Sequence, residues 1–140
     1  PLLASHVRPY GNVERYALKP IELLLPAPGW GLVPWPSLSR AYSVGALYRG
    51  EMGSAYLGLA GLAGLAWMCF TAWRGYLQKR RRFLPGALVA IAWILIYSIV
   101  GGINGILGTL GFTWFRGTNR FSVWILALVL LWTVGCTARR

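Results

Sequence analysis

The residues with the means to do chemistry are few and sharply placed. Arg116 and Arg120 stand four residues apart, with Asn119 between them, just before a long uncharged stretch. On a helix that spacing sets two guanidinium groups on one face, one turn apart. Two such forks at a membrane surface can grip a phosphate or diphosphate bidentately. The glycines upstream, Gly101 to Gly111, would let backbone N–H groups approach the same anion. The competing reading is that both arginines only mark the headgroup zone and snorkel. Glu51 lies shortly before another uncharged stretch. It could serve as a base, but beside two arginines its pKa would fall, which favours ion pairing. A third role is charge compensation at a helix N-terminus. Lys19 and Glu22 flank Pro20, and their spacing predicts a local ion pair that shapes a loop.

Other chemistries lack their parts. The acids number three, Glu14, Glu22 and Glu51, and no Asp occurs. They are too far apart in sequence to argue the paired carboxylates of a glycosidase. His6 is the only histidine, there is no GxSxG, and no convincing triad can be assembled. Cys69 and Cys136 lie within apolar stretches, where thiols act as small packing groups. With no Cys/His cluster, we expect no metal site and no cofactor. Fourteen Lys and Arg give a net charge of +11. They sit mainly between apolar runs, with no basic helix face, so nucleic acid is not the expected partner.

The elements that must position these residues are membrane spans. Ala55 to Trp73, Leu84 to Val100 and Phe121 to Ala138 are all uncharged. A hydrocarbon core about 30 Å thick needs roughly 20 apolar residues as helix. The expected fold is therefore an all-α integral membrane protein. It has three transmembrane helices, at about 55–73, 84–100 and 121–138, in a region covering 55–140. Arg74, Lys79 to Arg82 and Arg139-Arg140 concentrate positive charge on one side. By the positive-inside rule, 74–82 and the C-terminus face the cytoplasm, and residues 1–54 and 101–120 face outward.

Residues 1–54 hold all but one of the eight prolines, which rules out long helices. Leu23-Leu24-Leu25, Trp30, Leu32, Val33 and Trp35 are too apolar for a disordered tail. The reading is an ordered, irregular extracytoplasmic loop region, with a short helix over Val13 to Leu25 interrupted at Pro20. Gly58, Gly61 and Gly64 suit close packing of the first span on a neighbouring helix. Gly101 to Phe112, GGINGILGTLGF, reads as a helix end followed by a glycine-rich turn or half-helix covered by protein.

Three stretches, taken in order, resemble a family. They are ERYALKPIELLLPAPG (Glu14 to Gly29), EMGSAYLGLAGL (Glu51 to Leu62) and GGINGILGTLGFTWFRGTNRFSVWI (Gly101 to Ile125). Together they resemble part of bacterial polytopic membrane proteins of glycosyltransferase C type. The resemblance implies transfer of a sugar from a polyprenyl-phosphate donor at the outer face of the inner membrane. It would set Arg116, Asn119 and Arg120 near the lipid phosphate or the acceptor pocket, with Lys19 and Glu51 shaping the loop. Two departures stand out. The family's acidic residue of the first outer loop has no counterpart here. Trp30-Gly31 also stands where a His-Arg pair is expected.

Pro1 opens the chain, and methionine occurs only at Met52 and Met68. We therefore expect a piece of a longer enzyme, inactive alone, whose partners are membrane lipid and neighbouring transmembrane helices. The alternatives are a non-enzymatic membrane subunit or scaffold and, third, a transporter or flippase segment whose glycine-rich stretch is a broken helix.

Overall fold

The computed structural model describes residues 10–27, 35–46, 55–78, 84–114 and 117–138. Among them the chain is helical throughout. The helices are α1 (Gly11–Arg15), α2 (Pro20–Leu24), α3 (Pro36–Gly45), α4 (Gly58–Leu77), α5 (Gly86–Ser98), α6 (Ile103–Thr109) and α7 (Ser122–Thr137). A 3₁₀ turn, Thr118–Phe121, leads directly into α7. No strand forms among the described residues, and Leu18 and Ile99 make an isolated parallel bridge.

The three uncharged stretches become α4, α5 and α7, with shifted ends. Helix α4 runs past Trp73 and Arg74 to Leu77. Helix α5 has only 13 residues. It stops because Ile99 turns extended to meet Leu18. The continuous helical segment Thr118–Thr137 has 20 residues and is long and apolar enough to cross a membrane, and it is the one such helix among the described residues. At 1.5 Å per residue it is roughly 30 Å long. Helix α5 is apolar but short. Helix α4 is long enough, but its glycines, tryptophans and Arg74 dilute its apolar character.

Helix α7 packs on both α4 and α5. The approach to α4 is close because glycine faces it. A Cβ on Gly61 would lie 2.7 Å from Leu126 Cδ1, and one on Gly64 would lie 2.7 Å from Val129 Cγ1. Trp67 and Trp132 meet edge to face at 5.8 Å just beyond. Met68, Ile91, Ile125 and Val129 are buried at the centre. The outward faces are strongly apolar. Phe70, Trp73, Trp93, Trp124 and Leu131 are all more than half exposed.

The expectation for residues 1–54 is an irregular loop region. Their described parts form three helices. Pro20 does not interrupt a helix but begins one, at a position where its missing N–H costs nothing. Helix α3, which the composition did not suggest, also begins on a proline, Pro36.

The glycine-rich stretch contains a half-helix, α6, bracketed by Gly101 (φ +75°) and Gly111 (φ +96°). Gly102 sits so close to α5 that a Cβ there would collide with the carbonyl oxygens of Ile96 and Ile99. Tyr10 and Val13 of the N-terminal segment lie over Gly108 of α6. Together α1, α2, α3, α6 and the 3₁₀ turn make a headpiece at one end of the long helices.

Candidate functional site: a buried polar headpiece

Polar side chains are buried where the headpiece meets the helices. Ser98, Asn104, Thr118, Asn119 and Ser122 are each at most 3% exposed, and Glu22 is 4% exposed. Burial of such groups is costly unless hydrogen bonds replace water. The structure supplies several from backbone. Leu18 N–H donates to the Ser98 carbonyl at 2.9 Å. The Thr118 hydroxyl donates to the same carbonyl at 3.2 Å. Asn119 N–H donates to the Tyr16 carbonyl at 3.1 Å. The Tyr16–Leu18 linker is thereby stitched to the end of α5 and the start of α7.

A second set of contacts joins α2, α3 and α4. Lys19 Nζ lies 3.6 Å from Glu22 Oε1. The Tyr42 hydroxyl donates to the same carboxylate oxygen at 3.1 Å. Burial, with help from the Glu22 charge and the hydrogen bond to it, pushes the Tyr42 phenol up to about 12. The Ser39 hydroxyl donates to the Pro26 carbonyl at 2.6 Å, and the Trp35 indole donates to that of Leu24 at 3.4 Å. Leu57 N–H, at the start of α4, donates to the Leu23 carbonyl at 3.1 Å. Tyr10 donates to Glu14 at 2.9 Å, and that hydrogen bond raises the phenol's pKa.

The residues singled out from sequence fall in different settings. Arg116 and Glu51 lie outside the described residues. Asn119 and Arg120 are neighbours in the 3₁₀ turn, yet Asn119 is buried and Arg120 is exposed. The turn therefore divides the labour: Asn119 belongs to the knot beneath the Tyr16–Leu18 linker, and Arg120 reaches the surface at the mouth of α7. Lys19 stands at the N-cap of α2, mostly covered, on Glu22.

No family model, curated protein or solved structure matches this chain.

Sequence reasoning passed over Tyr42, Ser39, Ser98, Asn104 and Thr118. Ser39 and Tyr42 carried a usable signal, since three residues apart on a helix they share one face. Ser98 is a lone serine inside the apolar run Leu84 to Val100, which by itself marks no helix end. Nothing local marks Asn104. Among the described residues no three His, Cys, Asp or Glu side chains gather as a metal site requires. Two recesses border the headpiece. A broad apolar groove of about 660 Å³ lies between α2, α3 and α4, with Leu24, Trp35, Leu38 and Leu62 in its walls. A smaller one of about 270 Å³ lies between α5 and the start of α7.

Proposed function

We propose that this chain is part of a polytopic membrane glycosyltransferase of C type and helps bind a polyprenyl-phosphate sugar at the extracytoplasmic face of the bacterial inner membrane. The observation that carries the reading is the setting of Arg120. It is an exposed cation at the mouth of the membrane-length helix Thr118–Thr137, beside a buried polar headpiece. A guanidinium there sits where the phosphate of a lipid meets water.

The membrane reading has its own support. Only 17% of the apolar window in that helix is buried. The core helix of a water-soluble protein would be mostly covered, whereas exposed apolar rings around α4, α5 and α7 suit lipid. In this reading those three helices are transmembrane, and the short α5 is extended to the surface by Ile99 and the α6 half-helix. The headpiece lies outside, and Arg74, with the basic residues that follow it, faces the cytoplasm.

The chemical role is charge stabilisation. Sugar transfer by displacement at the anomeric carbon leaves charge on the departing lipid phosphate. Arginines positioned there favour the transition state over the bound substrate. In a scaffold, glycine faces would receive partner helices; here Gly61 and Gly64 instead meet α7 of the same chain, while Gly58 has open space beside it.

The test is binding of polyprenyl phosphate to the protein in nanodiscs. Arg120→Ala and Arg116→Ala are expected to weaken it roughly tenfold each, as loss of one charge-assisted hydrogen-bonding group implies. Unchanged affinity in both variants would remove the phosphate role and with it the transferase reading.

A further inference from the structure

The recess between α5 and α7 is lined by Trp93, Ile94, Tyr97, Ser98 and Phe121. Its walls are aromatic, with Tyr97 and Phe121 held edge to face at 6.0 Å. Its floor holds an anomaly. Ser98 is fully buried, and its hydroxyl makes no hydrogen bond among the described residues. Threonine hydroxyls in other helices behave differently. Those of Thr71, Thr109, Thr133 and Thr137 all turn back onto carbonyls three or four residues earlier. Ser98 could do the same and does not. Its own carbonyl is already engaged by Leu18 and Thr118. A buried hydroxyl without a partner is costly, and an acceptor brought by a ligand would relieve it.

Depth selects the ligand. Ser98 ends α5 at the seam with the polar headpiece, and Trp93 and Ile94 lie about one turn further down. The groove thus runs from the polar seam into the apolar zone. A group that fits must be an apolar chain with a neutral hydrogen-bond acceptor at its upper end. An ester-linked acyl chain has that form, because its carbonyl sits just below the headgroup. A polyprenyl chain carries no carbonyl. The geometry points to a glycerophospholipid of the surrounding bilayer seated between α5 and α7, its acyl chain against Trp93, Tyr97 and Phe121 and its ester carbonyl accepting the Ser98 hydroxyl. This rests on the membrane reading above but not on the transferase reading.

The test uses the protein in nanodiscs containing a trace of phosphatidylcholine with a photoactivatable diazirine on one acyl chain. The matched probe is the dialkyl ether analogue, with the same headgroup and chain length. Crosslinks from the ester probe are expected to concentrate on Trp93, Tyr97 and Phe121. The ether probe should label them roughly fivefold less, the factor one neutral hydrogen bond supplies. Ser98→Ala should abolish that ester preference without changing the remaining helix labelling. Equal labelling by the two probes in the unaltered protein would overturn the proposal, whatever the variant does. So would crosslinks spread evenly over α4, α5 and α7. Displacement of the ester probe by polyprenyl phosphate would also overturn it, by giving the groove to that lipid. Ser98→Ala should leave polyprenyl-phosphate affinity unchanged, so failure of the phosphate reading and failure of this one are separable.

Discussion

The headpiece and the helix bundle are held together by different physics. In the bundle, α4 meets α7 through shape: Gly61 and Gly64 receive Leu126 and Val129, and two tryptophan rings lock beyond them. In the headpiece, short helices that could not persist alone are tied by hydrogen bonds among Tyr16, Leu18, Ser98, Thr118 and Asn119, and around Glu22. The contrast teaches that a chain this apolar still depends on polar bonds wherever its backbone leaves the long helix. If the bundle sits in lipid, as proposed, little hydrophobic drive acts between its helices, and close packing serves in its place. Where the helix is broken, each freed N–H and C=O has to find protein.

The sharpest way to break the contrast is at its boundary, Gly102. A methyl group there meets two backbone carbonyls, which cannot swing aside as a side chain can. Gly102→Ala is expected to cost about 3 kcal/mol or more. Thermal unfolding should move down together with loss of hydrogen-exchange protection in both α6 and the end of α5. Retention of the unaltered melting temperature would mean that the α5–α6 turn is far more compliant than its geometry implies.

Next come changes confined to one side. Gly64→Ala thrusts a methyl against buried Val129 and the Thr133 hydroxyl, and should cost about 1–3 kcal/mol. The loss should register in α4 and α7 and leave exchange in the headpiece unaltered. Glu22→Gln should cost about 1.5–3 kcal/mol through its bonds to Lys19 and Tyr42, since hydrogen bonds to a charged group are the stronger kind. Its effect should appear as faster exchange in α2 and α3, with α4 and α7 still protected. If either variant loosened both regions equally, the division would fail.

The smallest effect is a pH dependence. Tyr42 has its phenol raised from 10.0 to about 12 in the folded protein. A group raised on folding binds its proton more tightly in the native state, so its contribution is complete below pH 10 and fades as pH rises towards 12. Stability should fall across that window, and Tyr42→Phe should remove this part of the alkaline loss. The same variant should cost about 1 kcal/mol at neutral pH. Melting temperatures taken at pH 8, 10 and 11.5 for both proteins would show it.

How much of this was legible beforehand depended on distance along the chain. Helices α4, α5 and α7 were readable because an absence of charge is a local property, whereas the five glycines of 101–112 marked a break in the helix without deciding between a turn and the α6 half-helix. The true end of α5 was not, since Ile99 leaves the helix to pair with Leu18, far away in sequence. Helix α3 escaped notice because only its partners, Pro26 and Glu22, make sense of Ser39 and Tyr42. The candidate site was legible in residue type but not in exposure. Asn119 and Arg120 look alike as polar residues before an apolar run. Only the folded chain separates them: Asn119, whose N–H bonds the distant Tyr16 carbonyl, is buried, and Arg120 is exposed.

The bonds from Leu18 to Ser98 and from Tyr16 to Asn119 also set a timetable. Both join an early segment to residues synthesised much later. At 5–20 residues per second, a ribosome needs about 5–20 s to travel the roughly 100 residues from Tyr16 to Asn119. Throughout that interval the Tyr16–Leu18 linker has no clasp to close upon, although α2 can already meet α3 and the start of α4. The Tyr16–Leu18 linker is therefore made well before the residues that fix it, and α1, which packs on α6, waits with it.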